Sequence, residues 1–352
     1  MTIKITGSGS YIPTETITNL DFLKHSFLND DGTPFPLANE VIAEKFHDIT
    51  GIRERRYITD DLTTSDIGYL AAQKAIEDAQ IDPETLDYII FAHNFGDVKK
   101  GAIQTDILPS LASRVKHHLR IKNSKCIAYD MLFGCPGWVE GVIQAQAYIK
   151  AGMARKCLVI GAEALSRVVD KHDRDSMIYS DGAGATIIEA SEEEGGILAH
   201  ETATYTYDEA YYLFFGKSFN NHNDPDIRYI KMQGRKIYEF ALNNVPKAMK
   251  ACLDQSGIDI RQLKKILIHQ ANEKMDEAIV HRFYKLYQQP VPEGIMPMSI
   301  QSLGNSSVAT IPTLYDMIIK GKMEHQKLEK GDVILFASVG SGMNINAIVY
   351  KM

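Results

Sequence analysis

Three residues of this chain have types and placements suited to acyl-transfer chemistry: Cys135, His269 and Asn305. Cys135 sits in Asp130-Met131-Leu132-Phe133-Gly134-Cys135-Pro136-Gly137-Trp138, between an apolar run predicted as a strand (126–132) and a run predicted as a helix (136–150). Proline suits the first turn of a helix, and the residue before a proline is driven out of helical geometry. Cys135 is therefore predicted on a tight elbow, its sulfur at the positive end of a helix, which is expected to lower the thiol pKa. The plainer alternative is a buried cysteine packed as a small hydrophobe. His269 follows the apolar run 266–268, and Asn305 opens a second helical run that ends near 319–321. Their plainer alternatives are a structural histidine and a helix N-cap. A cysteine so placed can hold an acyl group as a thioester. A neutral histidine and an asparagine amide can both donate to the carbonyl of a second thioester and stabilise an enolate beside it. Backbone N–H groups of Cys135 and Ser341, the latter in the glycine loop 339–343, can form an oxyanion hole. Together these parts suit carbon–carbon bond formation by Claisen condensation.

The elements that would bring the three together show an internal duplication. Ile81-Asp82, Leu86 and Ile89-Ile90-Phe91 recur as Ile258-Asp259, Leu263 and Ile266-Leu267-Ile268, each set preceded by an amphipathic helical run (65–79 and 248–255). The helical run after Gly134-Cys135 and the one after Gly304-Asn305 are each followed by an apolar strand, 157–160 and 333–336. Strands alternating with helices predict largely parallel, buried sheets. Sites in such sheets gather at the carboxyl ends of strands, so Cys135, His269 and Asn305 are expected to meet near a pseudo-twofold axis. The segment up to Arg56 reads as polar and weakly patterned, with a turn at 30–32.

Composition narrows the class. The chain has 352 residues, 45% hydrophobic and 24% charged, with a net charge of -7. That balance argues against nucleic acid as the main partner. Four cysteines lack any C-x-x-C spacing, as expected for reduced thiols in the cytoplasm. The N-terminus alternates like a strand rather than a signal-peptide core, and no apolar run reaches the length of a membrane span.

His269-Gln270-Ala271-Asn272, Gly304-Asn305-Ser306-Ser307, Asp181-Gly182-Ala183-Gly184-Ala185 and the cysteine elbow occur in this order. With Thr50-Gly51-Ile52-Arg53-Glu54-Arg55-Arg56 and Gly234-Arg235, they resemble β-ketoacyl-acyl-carrier-protein synthase III and its relatives in the thiolase superfamily. Asp181–Ala185 lacks the lysine and spacing of a phosphate loop and reads as a tight structural turn. The resemblance implies an α/β, thiolase-like, five-layered αβαβα fold built from two duplicated halves. Residues 1–190 would carry the nucleophile and 191–352 the histidine and asparagine. It implies a homodimer without cofactor or metal. Its ping-pong reaction acylates Cys135 first, and His269 and Asn305 then promote decarboxylation of a malonyl-type extender. The substrates implied are thioesters of coenzyme A or of acyl carrier protein.

Lys274 matches an arginine that docks the acidic carrier protein, and Arg235 is a second docking candidate, while Glu239 stands where a docking lysine is common. Lys45 and Ile49 replace a tryptophan and an arginine of coenzyme A-using members, which leans toward a carrier-bound substrate. Leu108 falls where the family often places a phenylalanine that reaches the partner subunit's pocket, so longer acyl chains are expected. Phe133 beside the elbow, and Tyr211 and Phe214 in the aromatic stretch 204–219, are candidate acyl-pocket residues. Alternative readings are a secondary-metabolism ketosynthase joining a β-ketoacyl thioester to another acyl chain (of resorcinol or cyclohexanedione type), a thioesterase or non-condensing acyltransferase, and a catalytically silent partner subunit.

Overall fold

A computed structural model describes residues 1–352. The first half contributes strands β1 (Thr2–Tyr11), β2 (Glu15–Thr18), β3 (Glu54–Tyr57), β4 (Tyr88–Ala92), β5 (Ile127–Met131), β6 (Lys156–Ala164) and β7 (Asp181–Ser191). Its helices are α1 (Asn39–Thr50), α2 (Thr64–Ala79), α3 (Leu111–His118) and α4 (Gly137–Lys150). The second half contributes β8 (Gly196–Thr204), β9 (Leu213–Lys217), β10 (Arg228–Met232), β11 (Leu263–Ile268), β12 (Val333–Gly340) and β13 (Asn344–Lys351). Its helices are α5 (Gly234–Ser256), α6 (Glu273–Leu286), α7 (Ile300–Leu303) and α8 (Thr310–Ile319).

Two sheets repeat one plan. The first runs β1-β7-β6-β4-β5 and the second β8-β13-β12-β11. In each, the helix-linked pair is parallel (β4 with β6, β11 with β12) and the other two shared pairings are antiparallel. Only the first sheet has an added edge strand, β5, parallel to β4. In the second half, the Ile266 N–H donates instead to the Ile295 carbonyl of a loop at 2.8 Å. The sheets are thus mixed rather than largely parallel. The β12–β13 link shows why: it closes through the short turn 341–343, which an antiparallel pair permits and a parallel pair does not.

Three main apolar clusters order the layers. One unites α2 and α3 with the outer face of the first sheet, and another unites α5 and α6 with the outer face of the second. Between them, α4 and α8 pack with inner-face residues of both sheets, including Trp138, Ile311, Leu314, Phe336 and Ile90. The result is the αβαβα stack. A helix between two sheets must be apolar on nearly all sides, and α8 is, burying all but two of its residues. Its one acidic residue, Asp316, is buried and accepts from Ser8 Oγ at 2.9 Å and Ser10 Oγ at 2.7 Å on β1, with Lys320 Nζ at 2.9 Å. That network satisfies the charge and fixes α8 against the first sheet.

Two elements differ from expectation. The segment before Arg56 is not loop: α1 spans Asn39–Thr50, burying Ile42 and Ala43, and it ends at Gly51, whose φ of 76° suits a left-handed cap. The helix expected at 248–255 is the last part of α5, which begins at Gly234 and runs through Pro246. The missing N–H of Pro246 leaves the Leu242 carbonyl without its intrahelical donor. Arg282 Nη1 on α6 donates to it at 3.0 Å, so the helix continues.

Candidate active site

The elbow forms as expected from its proline. α4 starts at Gly137 with Pro136 as N-cap, and Cys135 lies one residue before it. Gly134 has φ 72°, and a Cβ there would lie 2.7 Å from the Ser341 carbonyl oxygen. A Cβ on Gly340 would lie 2.5 Å from the Cys135 nitrogen. Only glycine fits where these two backbones cross. The crossing brings the N–H groups of Cys135 and Ser341 to face the cysteine sulfur. Ser307 Oγ donates to the same sulfur at 3.3 Å.

The thiol pKa does not fall as the helix end alone predicts. Burial pushes it up to about 11, outweighing the hydrogen bonds from Ser307, Cys135 and Ser341 that lower it, and buried Glu163 raises it further. At rest Cys135 is a neutral thiol.

His269 follows β11, its N–H bonded to the Ala337 carbonyl of β12 at 2.8 Å. Burial pushes its pKa down to about 4, so the ring is neutral. Nδ1 lies 2.8 Å from Thr310 Oγ1, which also lies 3.0 Å from the Ser307 carbonyl oxygen. When Thr310 donates to that carbonyl, Nδ1 must donate to Thr310, leaving Nε2 an acceptor. When the Thr310 hydroxyl turns to Nδ1, the proton sits on Nε2, which becomes a donor. The other residues of the histidine motif are structural. Gln270 Nε2 donates to the Pro297 carbonyl at 2.8 Å, and Asn272 Oδ1 caps α6 by accepting from Met275 N at 3.0 Å.

Asn305 is not an N-cap of α8, which starts five residues later, after a short 3-10 turn at Ser307–Ala309. Its Oδ1 accepts from Ser307 N at 2.8 Å. With the oxygen taken, Nδ2 is the end left to donate.

Cys135, His269 and Asn305 line one cavity of about 620 Å³. Its other walls include Ile42, Phe46 and Ile49 of α1, Tyr179, Met232 and Met343. A second cavity of about 210 Å³ opens on Cys135 and Asn305 and is walled by Phe95, Leu165, Leu213, Phe214, Phe215 and Ile230. Of the acyl-pocket candidates, Phe214 lines this smaller cavity, while Phe133, Leu108 and Tyr211 line neither. Leu108 and Tyr211 sit on loops, 87% and 77% exposed. Phe133 uses its backbone instead, its carbonyl accepting from Asn344 Nδ2 at 3.1 Å. Arg235 lies on the rim of the large cavity, paired with Glu239 at 2.9 Å, and Lys274 is exposed on the first turn of α6. No group of three or more His, Cys, Asp or Glu is arranged to hold a metal ion.

The contribution of α1 to the large cavity was missed in the sequence. Ile42, Phe46 and Ile49 have helical spacing before Gly51, a pattern that marks the helix. Asp181–Ala185 is not a turn but the start of β7. Gly184 lets α8 approach, since a Cβ there would lie 2.7 Å from Pro312. Asp181 accepts from Ile58 N at 2.9 Å and from Ser166 N at 2.8 Å. Arg55 is likewise structural: buried, it donates to the carbonyls of Met177 and Ile17 at 3.0 Å each.

Comparison with known proteins accounts for this arrangement. Residues 129–206 match the family described as 3-oxoacyl-(acyl-carrier-protein (ACP)) synthase III, and residues 253–352 match its C-terminal portion. The chain is 31% identical to beta-ketoacyl-(acyl-carrier-protein) synthase III 1 of Vibrio vulnificus over 340 residues, 96% of each chain. It belongs to the 3-oxoacyl-(acyl-carrier-protein) synthase III family. The corresponding enzyme of Oceanobacillus iheyensis is also 31% identical, over 100% of this chain and 99% of that one. The crystal structure of the synthase III from Aquifex aeolicus superposes with a TM-score of 0.81 at 29% identity, covering 99% of this chain and 100% of that one. As a synthase III family member with the thiolase fold, the chain is a condensing acyltransferase. No helix is long and apolar enough to cross a membrane.

Proposed function

We propose that this chain joins two acyl thioesters by Claisen condensation through an acyl-Cys135 intermediate, with His269 and Asn305 serving the second thioester. The observation that carries the reading is the meeting of a thiol, a neutral imidazole and an amide donor on one largely apolar cavity. Nε2 of His269 takes the thiol proton, and the sulfur adds to the donor carbonyl. The N–H groups of Cys135 and Ser341 receive the developing oxyanion. The carbonyl re-forms, and the departing thiol carries away the proton held by His269. A malonyl-type extender then loses CO₂ to an enolate, whose oxygen accepts from Asn305 Nδ2 and, in the tautomer with Thr310 donating to Nδ1, from His269 Nε2. The enolate carbon attacks the acyl-Cys135 carbonyl, and the cysteine leaves as thiolate and takes a proton from solvent.

Acyl carrier protein or coenzyme A carries the thioesters in this reading, with Lys274, Arg235, Lys45 and Arg174 supplying positive charge at or near the rim. Cytoplasmic placement and a homodimer, with Leu108 reaching toward the partner subunit, belong to the same reading. A secondary-metabolism ketosynthase is favoured over a fatty-acid initiator by one feature. The smaller cavity beyond Cys135 has several times the room that a two-carbon acyl group fills. The test is incubation with acyl chains of graded length, on coenzyme A and on carrier protein, read by peptide mass. The expected result is an adduct on Cys135 that tolerates chains longer than acetyl. An adduct at another residue overturns the proposal.

A further inference from the structure

Behind Cys135 lies a buried carboxylate that no step above uses. Glu163, 1% exposed at the end of β6, takes part in no ion pair. Its Oε1 accepts from the backbone N–H of Asn94 at 2.6 Å and its Oε2 from Asn94 Nδ2 at 3.1 Å. Asn94 Nδ2 also lies 3.1 Å from Ser307 Oγ, and Ser307 Oγ lies 3.3 Å from Cys135 Sγ. The nearby His93 ring makes its bonds elsewhere: Nδ1 accepts from Gly96 N at 3.0 Å, and Nε2 lies 3.1 Å from Asp130 Oδ2. A buried, unpaired carboxylate is costly, and its retention asks for a reason.

The directions of these bonds supply one. An ionised carboxylate only accepts, so the Asn94 amide must turn its NH₂ toward Glu163. The same NH₂ then donates to Ser307 Oγ. A hydroxyl has one hydrogen, and with its oxygen already accepting from Asn94, that hydrogen is free to go to the sulfur. We propose that Glu163 is a positioning residue: it sets the polarity of the chain Glu163–Asn94–Ser307 so that the Ser307 hydroxyl hydrogen is held on Cys135 Sγ. The inference rests on Cys135 being the nucleophile.

Two further observations fit. Ser307 has φ 53°, a left-handed conformation uncommon for a residue with a side chain, and such strain persists where surrounding bonds impose it. Burial raises the Glu163 carboxyl to about 7, below the thiol's value of about 11, so Glu163 is ionised wherever Cys135 titrates. Its charge opposes thiolate formation, while the hydroxyl it orients favours it. The two effects have opposite signs, and that makes them separable.

The glutamine substitution reverses the polarity. Glu163→Gln presents an NH₂ to Asn94, which turns its oxygen toward both Gln and Ser307, and the Ser307 hydrogen then goes to Asn94 instead of sulfur. The experiment is the pH profile of Cys135 alkylation by iodoacetamide, read from the mass of the Cys135 peptide, in the full chain. The variants are Glu163→Gln, Ser307→Ala and the double variant. Groups facing Cys135 that share the profile are Glu163, Tyr179 and His269, and His93 faces Glu163. Ser307→Ala should raise the apparent thiol pKa by about one unit, the worth of one lost hydrogen bond to a charged group, and Glu163→Gln should raise it by less, because it also removes the opposing charge. In the Ser307→Ala background, Glu163→Gln should instead leave it unchanged or lower it, because only the charge remains to be removed. A Glu163→Gln shift that is the same in both backgrounds overturns the proposal. Should Glu163→Gln not fold, Asn94→Ala breaks the same chain without removing charge. It should raise the pKa when Ser307 is present and leave it unmoved in Ser307→Ala. Equal shifts in both backgrounds overturn the proposal here too. The readout needs no condensation. A Cys135 that titrates as stated but accepts no acyl group defeats the nucleophile assignment alone, and an acylated Cys135 with equal shifts defeats the polarity chain alone.

Discussion

The turns that precede the two central helices occupy the same place in their halves and do different work. In the first half Cys135 enters α4 almost directly, through Pro136. In the second half Asn305 is held away from α8 by the 3-10 turn at Ser307–Ala309. The short connection leaves a side chain at the mouth of a helix with backbone N–H groups aimed at it, a seat for developing negative charge. The longer one folds Ser307 N back onto Asn305 Oδ1 and leaves an amide NH₂ to donate. Duplication supplied two equivalent positions, and a few residues of slack made one suited to a nucleophile and the other to a donor. Burial has the same lesson with opposite signs. It pushes the Cys135 thiol up and the His269 imidazole down, so both rest uncharged, and the thiol gives up its proton only as the sulfur adds to a carbonyl.

The comparison breaks most sharply at the first turn. Cys135→Ala should abolish acyl transfer, with a loss of at least about 10³-fold, measured as product formation from two thioesters; retained turnover would mean the nucleophile sits elsewhere. Next, Asn305→Ala should cut condensation about 10²- to 10³-fold while Cys135 still becomes acylated. If acylation fails equally, the second turn is not specific to the extender. Gly340→Ala tests the crossing that joins the halves. Its backbone is extended and tolerates alanine, but the new Cβ displaces the cysteine elbow. About 10- to 100-fold loss of turnover is expected, with urea unfolding showing about 1–3 kcal/mol of destabilisation.

His269 sharpens the electrostatic side. The unfolded chain binds a proton there below about pH 6.5 and the folded chain only below about pH 4. The folded state therefore loses stability as pH falls from 6.5 to 4, by up to about 3 kcal/mol, and loses nothing from this group above 6.5. Urea midpoints across that window should fall less in His269→Asn than in the parent chain. The smallest effect belongs to α5. Arg282→Ala should cost about 1 kcal/mol by orphaning the Leu242 carbonyl. The cost should shrink in a Pro246→Ala background, where the helix supplies its own donor.

Much of the geometry of the candidate site was legible from spacing, because helix entry rules act within a few residues. Pro136 placed the elbow, and the repeat of 81–91 at 258–268 placed His269 at a strand end. The apolar run Ile89-Ile90-Phe91 singled out in that repeat lies inside strand β4, Tyr88–Ala92. The candidate acyl-pocket residues were less legible. Phe133 and Tyr211 are aromatic and near the right elements, yet which way a loop side chain faces depends on contacts the local sequence does not encode. Phe214 reaches the cavity because the β9–β10 hairpin presents it there.

By itself, then, the sequence determined the duplicated α/β plan, the cysteine elbow and the two partner positions, since periodicity and turn chemistry are local. Tertiary structure decided their chemical states. Whether Cys135 is thiol or thiolate, which end of Asn305 faces the cavity, and which nitrogen of His269 holds a proton depend on burial and on partners up to 172 residues away, such as Ser307 on Cys135. Desolvation and hydrogen-bond direction are properties of the packed molecule, and no residue carries them alone.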